Sequence, residues 1–358
     1  MSFRNRSHHN RSSQAGLPDE RRARQWMFGR ARFLSLMLAG LVGSVGAVSC
    51  GSGPQTAGGS DEVPFVAVTQ IVEHPALDAV RDGIKDQLAE AGYEADSTLR
   101  WEWQSAQGNP ATATQIANKY AGAQPNVIVA IATPSAQSAV SAAENTPIIF
   151  SAVTDPVGAK LVDNAEKPGG NVTGVSDLSP IAQQLELIKS ILPEAATLGV
   201  IYNAGEDNSV SLVELINDNA SDQGLTVNEV TVSASSEVAN AARSLVGSVD
   251  AIYIPTDNTV VSALESVIQV GQDNQVPVFA GDTDSVERGA IAAISFDYYD
   301  VGKQTGEMVV KVLKGSRPGD LAVEFVKDLK LSVNPAAAEA MGVTLPDSVT
   351  ANADETFE

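Results

Sequence analysis

Polar residues that could grip a small molecule come in short clusters, each placed directly after an apolar run. Thr69-Gln70-Ile71-Val72-Glu73-His74-Pro75 is the first, Thr133-Pro134-Ser135 the second, and Ser151-Ala152-Val153-Thr154-Asp155-Pro156 the third. Asn203 with Asp207-Asn208-Ser209, then Thr256-Asp257-Asn258, then Gly281-Asp282 continue the series. Hydroxyls and amides can donate to an anionic group, and carboxylates accept from a cationic one, so this inventory suits a polar or zwitterionic solute. Each cluster also has a plainer reading. Ser, Thr, Asp and Asn cap helix N-termini, and a strand-to-helix joint uses such a residue. The two roles are compatible, because the free N–H groups at a helix start attract anions. Glu73-His74-Pro75 could be an acid–base site or a polar loop with Pro75 in a first helical turn; with no nucleophile or base partner evident, the loop is expected. Phe296-Asp297-Tyr298-Tyr299 offers ligand contact or packing at a chain crossing, and Trp101 and Trp103, alternating with Glu102, read as one face of a strand.

Residue supply narrows the chemistry. Cys50 is the one cysteine, which excludes an intrachain disulfide and a Cys-based zinc site, and the histidines are His8, His9 and His74. No Walker-type phosphate loop is present, and no dinucleotide-binding fingerprint follows the first strand, so no cofactor or metal is expected. The net charge is −21; beyond residue 49 the chain holds 15 Lys and Arg against 42 Asp and Glu, a balance of −27. Such a body repels nucleic acid and anionic membrane surfaces.

The N-terminus reads differently. Arg30-Ala31-Arg32 precedes the apolar run Phe33-Leu34-Ser35-Leu36-Met37-Leu38-Ala39-Gly40-Leu41-Val42, and Ala47-Val48-Ser49-Cys50 closes it. Basic residues, a short apolar run and small residues make a secretory signal. Small residues before a lone Cys resemble a bacterial lipobox, so residues 1–49 are expected to be a signal, starting at Met1 or Met27, with Cys50 lipidated. Gly51 to Ser60 has the composition of a flexible tether, set at 50–62.

The clusters must be positioned by the elements between them. Val63–Val68, Val127–Ala132, Thr146–Phe150, Leu198–Tyr202, Leu225–Val232, Val249–Ile254, Val276–Ala280 and Ala290–Ile294 read as strands. Most are continuous apolar runs, as in buried parallel sheets. Helices are expected between them: Leu77, Val80, Ile84 and Leu88 form one stripe, and others cover about 210–220, 238–246, 260–270 and 301–313. Strands alternating with helices predict an α/β protein with parallel sheets, in two lobes, with a first crossing near Gly169-Gly170-Asn171-Val172-Thr173-Gly174. Ligands bind beyond the carboxyl ends of such strands, which is where the polar clusters fall.

In these same segments the sequence resembles the ABC-transporter substrate-binding proteins of the tryptophan/tyrosine type. Thr69-Gln70-Ile71-Val72-Glu73-His74-Pro75-Ala76-Leu77-Asp78, Ala130-Ile131-Ala132-Thr133-Pro134-Ser135-Ala136-Gln137, Phe150-Ser151-Ala152-Val153-Thr154-Asp155-Pro156 and Gly170-Asn171-Val172-Thr173-Gly174 carry the likeness. Tyr202-Asn203 with Asn208-Ser209, and Ile254-Pro255-Thr256-Asp257-Asn258, extend it. The resemblance, spanning about 63 to 345, implies a two-lobed type I periplasmic-binding-protein fold with crossings near 170–176, Phe296 and Leu329–Asn334. The first lobe would take 63–172 and 297–327, the second 176–295 and 332–349, with 350–358 a loose tail.

It also implies a monomeric, extracytoplasmic, lipid-anchored binding subunit, not an enzyme, that closes on an aromatic amino acid and serves a membrane permease and its ATPase. On that reading Thr133 and Ser135 would hold the ligand carboxylate, and Asp257, or else Glu73, its ammonium. Asn208, Ser209, Thr154 and Asp282 would complete the cleft with Phe150 and Phe296 as apolar walls. Thr69, Gln70, Ser151, Asp155, Thr256 and Asn258 lie in the same clusters and join the candidate list. A sensor or accessory lipoprotein that binds ligand without feeding a transporter is the alternative, and carboxylate-based catalysis on the same scaffold a third.

Overall fold

The structure, a computed structural model, describes residues 63–358; the signal, Cys50 and the whole tether lie outside the described residues. The first core is laid down by strand–helix units in chain order. Strand β1 (Phe65–Gln70) is buried throughout and leads into α1 (Pro75–Glu90), which turns Leu77, Val80, Ile84 and Leu88 inward. Then come β2 (Arg100–Ser105), α2 (Pro110–Ala123), β3 (Val127–Ile131), α3 (Thr133–Ala142), β4 (Ile148–Ser151) and β5 (Val172–Ser176). Asn109 caps α2 by accepting from the Thr112 N–H at 3.0 Å.

The chain then builds a second core with α4 (Ile181–Ile191), β6 (Thr197–Tyr202), α5 (Asp207–Ala220), β7 (Thr226–Thr231), α6 (Val238–Leu245), β8 (Ala251–Ile254), α7 (Asn258–Val261), α8 (Leu264–Asn274), β9 (Val278–Ala280), α9 (Asp284–Glu287) and β10 (Ala292–Ser295). It returns to the first core as α10 (Tyr298–Leu313) and β11 (Glu324–Phe325), and crosses again to finish with β12 (Lys330–Val333), α11 (Pro335–Ala340), α12 (Asp347–Thr350) and β13 (Glu355–Thr356).

The first sheet runs β11-β5-β4-β3-β1-β2 and is parallel throughout. The second runs β7-β6-β8-β9, also parallel. A third, β10-β12-β13, continues from it, the Ile291 N–H donating to the Val278 carbonyl at 2.8 Å. Two apolar clusters sit on these sheets. One gathers buried residues from Phe65 to Val175 and from Phe296 to Val323; the other gathers Ile181 to Ala292 and Val333 to Val349.

The tightest helix pair is α1 with α10. Gly83 and Gly302 face each other there, and a Cβ on Gly302 would overlap the Val80 carbonyl. This contact brings the starts of both helices to the edge where the first lobe faces the second.

Three expectations need correction. The segment 350–358 is not loose: β13 pairs with β12, the Phe357 N–H donates to the Val333 carbonyl at 2.9 Å, and Asp354 accepts from the Leu331 N–H at 2.8 Å. An open strand edge gives this tail a partner. The single helix expected over 260–270 is two, α7 and α8, separated at Ser262-Ala263. Helices α2 and α4 were not expected, although Ile181, Leu185 and Ile188 form a buried stripe.

Candidate functional site

The two cores face each other across a cavity with about 340 Å³ of empty space, its open mouth included. His74, Ala76 and Leu77 reach it from the β1–α1 joint, and Ala152 and Thr154 from the loop after β4. Asp177 follows β5, and Asn208 lies in the first turn of α5. Thr256, Asn258 and Val261 follow β8, Asp282 follows β9, and Tyr298 opens α10. Every contributor comes from beyond the carboxyl end of a strand, where helix starts converge and backbone N–H groups lack strand partners.

The cavity's charge is one-sided. Asp177 accepts from Tyr298 Oη at 3.0 Å and Thr154 Oγ1 at 3.2 Å, and burial pushes its carboxyl up to about 6. Asp282 accepts from the Ser285 N–H at 2.8 Å and Ser285 Oγ at 2.7 Å, and burial raises it too. Among the described residues no Lys or Arg lines the cavity. His74 does not neutralise these acids, because burial, with the Arg288 charge nearby, drives the imidazole down to about 3. Arg288, outside the lining, acts on Asp282, and two buried carboxylates still favour a cationic group in the cavity itself.

Buried polar atoms are nearly always paired, so the unpaired ones are informative. Among the described residues, His74 Nδ1, Asn208 Oδ1, Thr256 Oγ1, Thr69 Oγ1, Thr133 Oγ1 and Ser135 Oγ are buried without a hydrogen-bond partner. The first three belong to cavity-lining residues; the other three stand behind the edge at the ends of β1 and β3. Ala132 and Ala152, just after β3 and β4, hold φ of 72° and 52°, backbone strain stored beside the cavity.

Of the residues singled out in the sequence, Thr154, Asn208, Thr256, Asn258 and Asp282 line this cavity. Others are occupied elsewhere. Asp257, first choice for a ligand ammonium, is fully buried and spent on its own lobe. It accepts from the Asn203 N–H at 2.6 Å, Ser209 Oγ at 2.7 Å and the Val260 N–H at 2.8 Å, capping α7. That expectation is corrected, and Ser209 goes with it. Glu73 is exposed and faces an outer groove with Trp103 and Lys119, so it too is withdrawn as an ammonium partner. Gln70 donates to the Val72 carbonyl at 2.8 Å and to Asp78 at 2.9 Å, fixing the β1–α1 loop. Ser151 Oγ bonds Thr305 Oγ1 at 2.6 Å, and Asp155 closes a turn through the Val157 and Gly158 N–H groups. Phe150 and Phe296 are core residues and not walls of the cavity, the Phe296 ring lying tilted against Tyr298 with centroids 5.5 Å apart. The apolar wall is instead Ala76, Leu77, Ala152 and Val261.

Sequence reading missed His74, Asp177 and Tyr298 as site residues. Tyr298 and His74 sat inside clusters already marked. Asp177 could have been found by treating Val172–Ser176 as a strand and reading the residue after it. Away from the cavity lining, Gln137 Nε2 on α3 donates to Asp207 Oδ2 on α5 at 2.7 Å, joining the lobes directly.

Residues 65–357 match the family model described as ABC transporter substrate binding protein. The chain is 38% identical over 322 residues to a tyrosine-binding protein of Clostridioides difficile (strain R20291), covering 88% of this chain and 93% of that one. Among solved structures it is similar to an ABC domain in complex with L-Trp from Streptococcus pneumonia, with a TM-score of 0.80 at 38% identity, covering 83% of this chain and 100% of that one. It is also similar to a ligand-free, open substrate-binding protein with adhesive properties from Clostridium difficile. There the TM-score is 0.63 at 39% identity, covering 83% and 100%.

Proposed function

The chain belongs to the ABC transporter substrate-binding protein family, and from that premise we propose that it captures an aromatic amino acid outside the cytoplasm by closing two lobes on it. The observation that carries this reading is the presence of Asp177 and Asp282 in one inter-lobe cavity that, among the described residues, no Lys or Arg lines. An α-ammonium supplies the missing charge. The hydroxyl of Thr256, unpaired at the cavity wall, suits the carboxylate. Ala76, Leu77 and Val261 offer an apolar wall for a ring. The names of the relatives, which bind tyrosine or L-Trp, support the same class of ligand.

Closure follows from differential affinity: ligand touching both lobes stabilises the closed form over the open one. At nearly equal identity and coverage the chain overlays the L-Trp complex better than the open, ligand-free structure, which supports a closed arrangement. The lobes, 63–172 with 297–327 and 176–295 with 332–349, move as units about the three crossings. Among the described residues no helix is long and apolar enough to span a membrane. Attachment is assigned to a lipid on Cys50, with 50–62 as tether. The loaded, monomeric protein delivers ligand to a permease powered by a separate ATPase and performs no catalysis itself.

Calorimetric titration of the full chain with L-tyrosine, L-tryptophan, L-phenylalanine, glucose and adenosine tests this. Binding confined to the amino acids is the expected result, and Asp282→Asn should weaken it about 10–100-fold, the worth of a charge-assisted hydrogen bond in a buried site. Binding of glucose or adenosine alone would discard the amino-acid assignment.

A further inference from the structure

Gln184 lies in α4, outside every polar cluster that follows a strand, and it is not among the residues lining the cavity. It is 2% exposed, and both the nitrogen and the oxygen of its amide are engaged. Nε2 donates to the Gly281 carbonyl at 3.0 Å and to the Ile294 carbonyl at 2.9 Å. Oε1 accepts from Tyr253 Oη, on β8. Burial raises the pKa of the Tyr253 hydroxyl, which keeps it a donor. A side-chain amide has two N–H groups, so none is left over here.

These partners border the ligand cavity. Gly281 precedes Asp282, and its N–H donates to the Ile254 carbonyl at 2.8 Å, so the peptide is held from both sides. A Cβ on Gly281 would stand 3.1 Å from Tyr253 Oη and 3.3 Å from the Thr256 nitrogen. The backbones bearing Asp282 and Thr256, both lining residues, therefore pack closely beside Gln184. Asp282 in turn accepts from the Ser285 N–H and hydroxyl. Ile294 lies in β10, just before Phe296 and the second crossing, and β10 pairs with β12, the strand of the third. One buried amide thus fixes the acid that faces the ligand to the sheet on which two crossings end.

We propose that Gln184 is a positioning residue for ligand capture: its amide seats the Gly281-Asp282 peptide so that the Asp282 carboxylate stands at the cavity wall. This rests on the ligand-capture reading above. Without the amide, two buried carbonyls lose their donor, and the backbone shifts to find another. The carboxylate then leaves the place from which it meets an ammonium. Gln184→Met keeps the length of the side chain and removes all three hydrogen bonds. Tyr253→Phe leaves both carbonyl bonds within reach but frees the amide to turn.

The test is a double-mutant cycle, read by calorimetry of the full chain with L-tyrosine and L-tryptophan. Gln184→Met should weaken binding about tenfold in the native chain and hardly at all in Asp282→Asn, because a positioning residue loses its effect with the group it positions. Equal losses in both backgrounds overturn the proposal. Hydrogen exchange of the ligand-free chain reads the same seat without a ligand. The Ser285 N–H, bonded to Asp282, should exchange about tenfold faster in Gln184→Met while the amides of β6 keep their native rates. An unchanged Ser285 rate, or faster exchange throughout the second core, sinks the assignment. If neither amino acid binds the native chain, the capture reading fails, and the Ser285 rate alone decides whether Gln184 seats Asp282. Should Gln184→Met not fold, Tyr253→Phe takes its place: binding about threefold weaker and faster Ser285 exchange are expected, and native values for both refute the role.

Discussion

Asp257 and Asp282 each follow a parallel strand of the second lobe, and in the sequence nothing separates them. Their surroundings do. Asp257 is consumed by two backbone N–H groups and a hydroxyl, whereas Asp282 spends itself on Ser285 at the cavity wall. Asp257→Ala should accordingly cost stability more than affinity. Loss of the α7 cap and of partners for Asn203 and Ser209 is expected to lower unfolding free energy by about 2–4 kcal/mol, read by denaturant titration. A change in ligand affinity without that loss would return Asp257 to the site. The polar clusters were legible because residue type limits what a loop can do. Which of their members cap and which face ligand was not, because the direction of a side chain within a loop is set by packing from the opposite lobe.

At the level of elements, the helices α1 and α10 illustrate what a pattern conveys and what it omits. The stripe Leu77, Val80, Ile84 and Leu88 marks α1 plainly, and Val301 to Leu313 marks α10. That the two should lie glycine against glycine, though far apart in the chain, is a tertiary fact with no local trace. Gly302→Ala should push the helices apart and lower the melting point, an overpacking cost of about 1–3 kcal/mol seen in calorimetry. Because both helix starts line the cavity, ligand affinity should fall as well. Strands buried on both faces, such as β1 and β3, were easy to find. Asp177 was lost because β5, carrying Thr173 and Gly174, read as a glycine-rich crossing and not as a strand.

For the molecule as a whole, burial of acids shapes its response to pH. Burial raises Asp177 to about 6 and Asp284 to about 7, and burial together with the Glu206 charge raises Asp257 to about 7, all from an ordinary 3.8. The folded chain thus holds protons that the unfolded chain releases. Its stability should rise as the pH falls from 8 toward 6, and the calorimetric melting point at pH 6 should exceed that at pH 8. His74 pulls the other way, but only below 6.5. The large negative balance of the body acts in the same direction as the acids, since self-repulsion eases on protonation.

The outermost strand of the first sheet, β2, carries both tryptophans of the described body, Trp101 and Trp103. Trp103 is 40% exposed, with the Arg81 guanidinium 4.3 Å from its ring, and neither residue lines the cavity. The tryptophan emission of the described body therefore watches one margin of one lobe. An aromatic amino acid entering the cleft should leave that emission almost unchanged, and a flat quenching curve says nothing about occupancy; a reporter dye placed on the second lobe would see what the two tryptophans cannot.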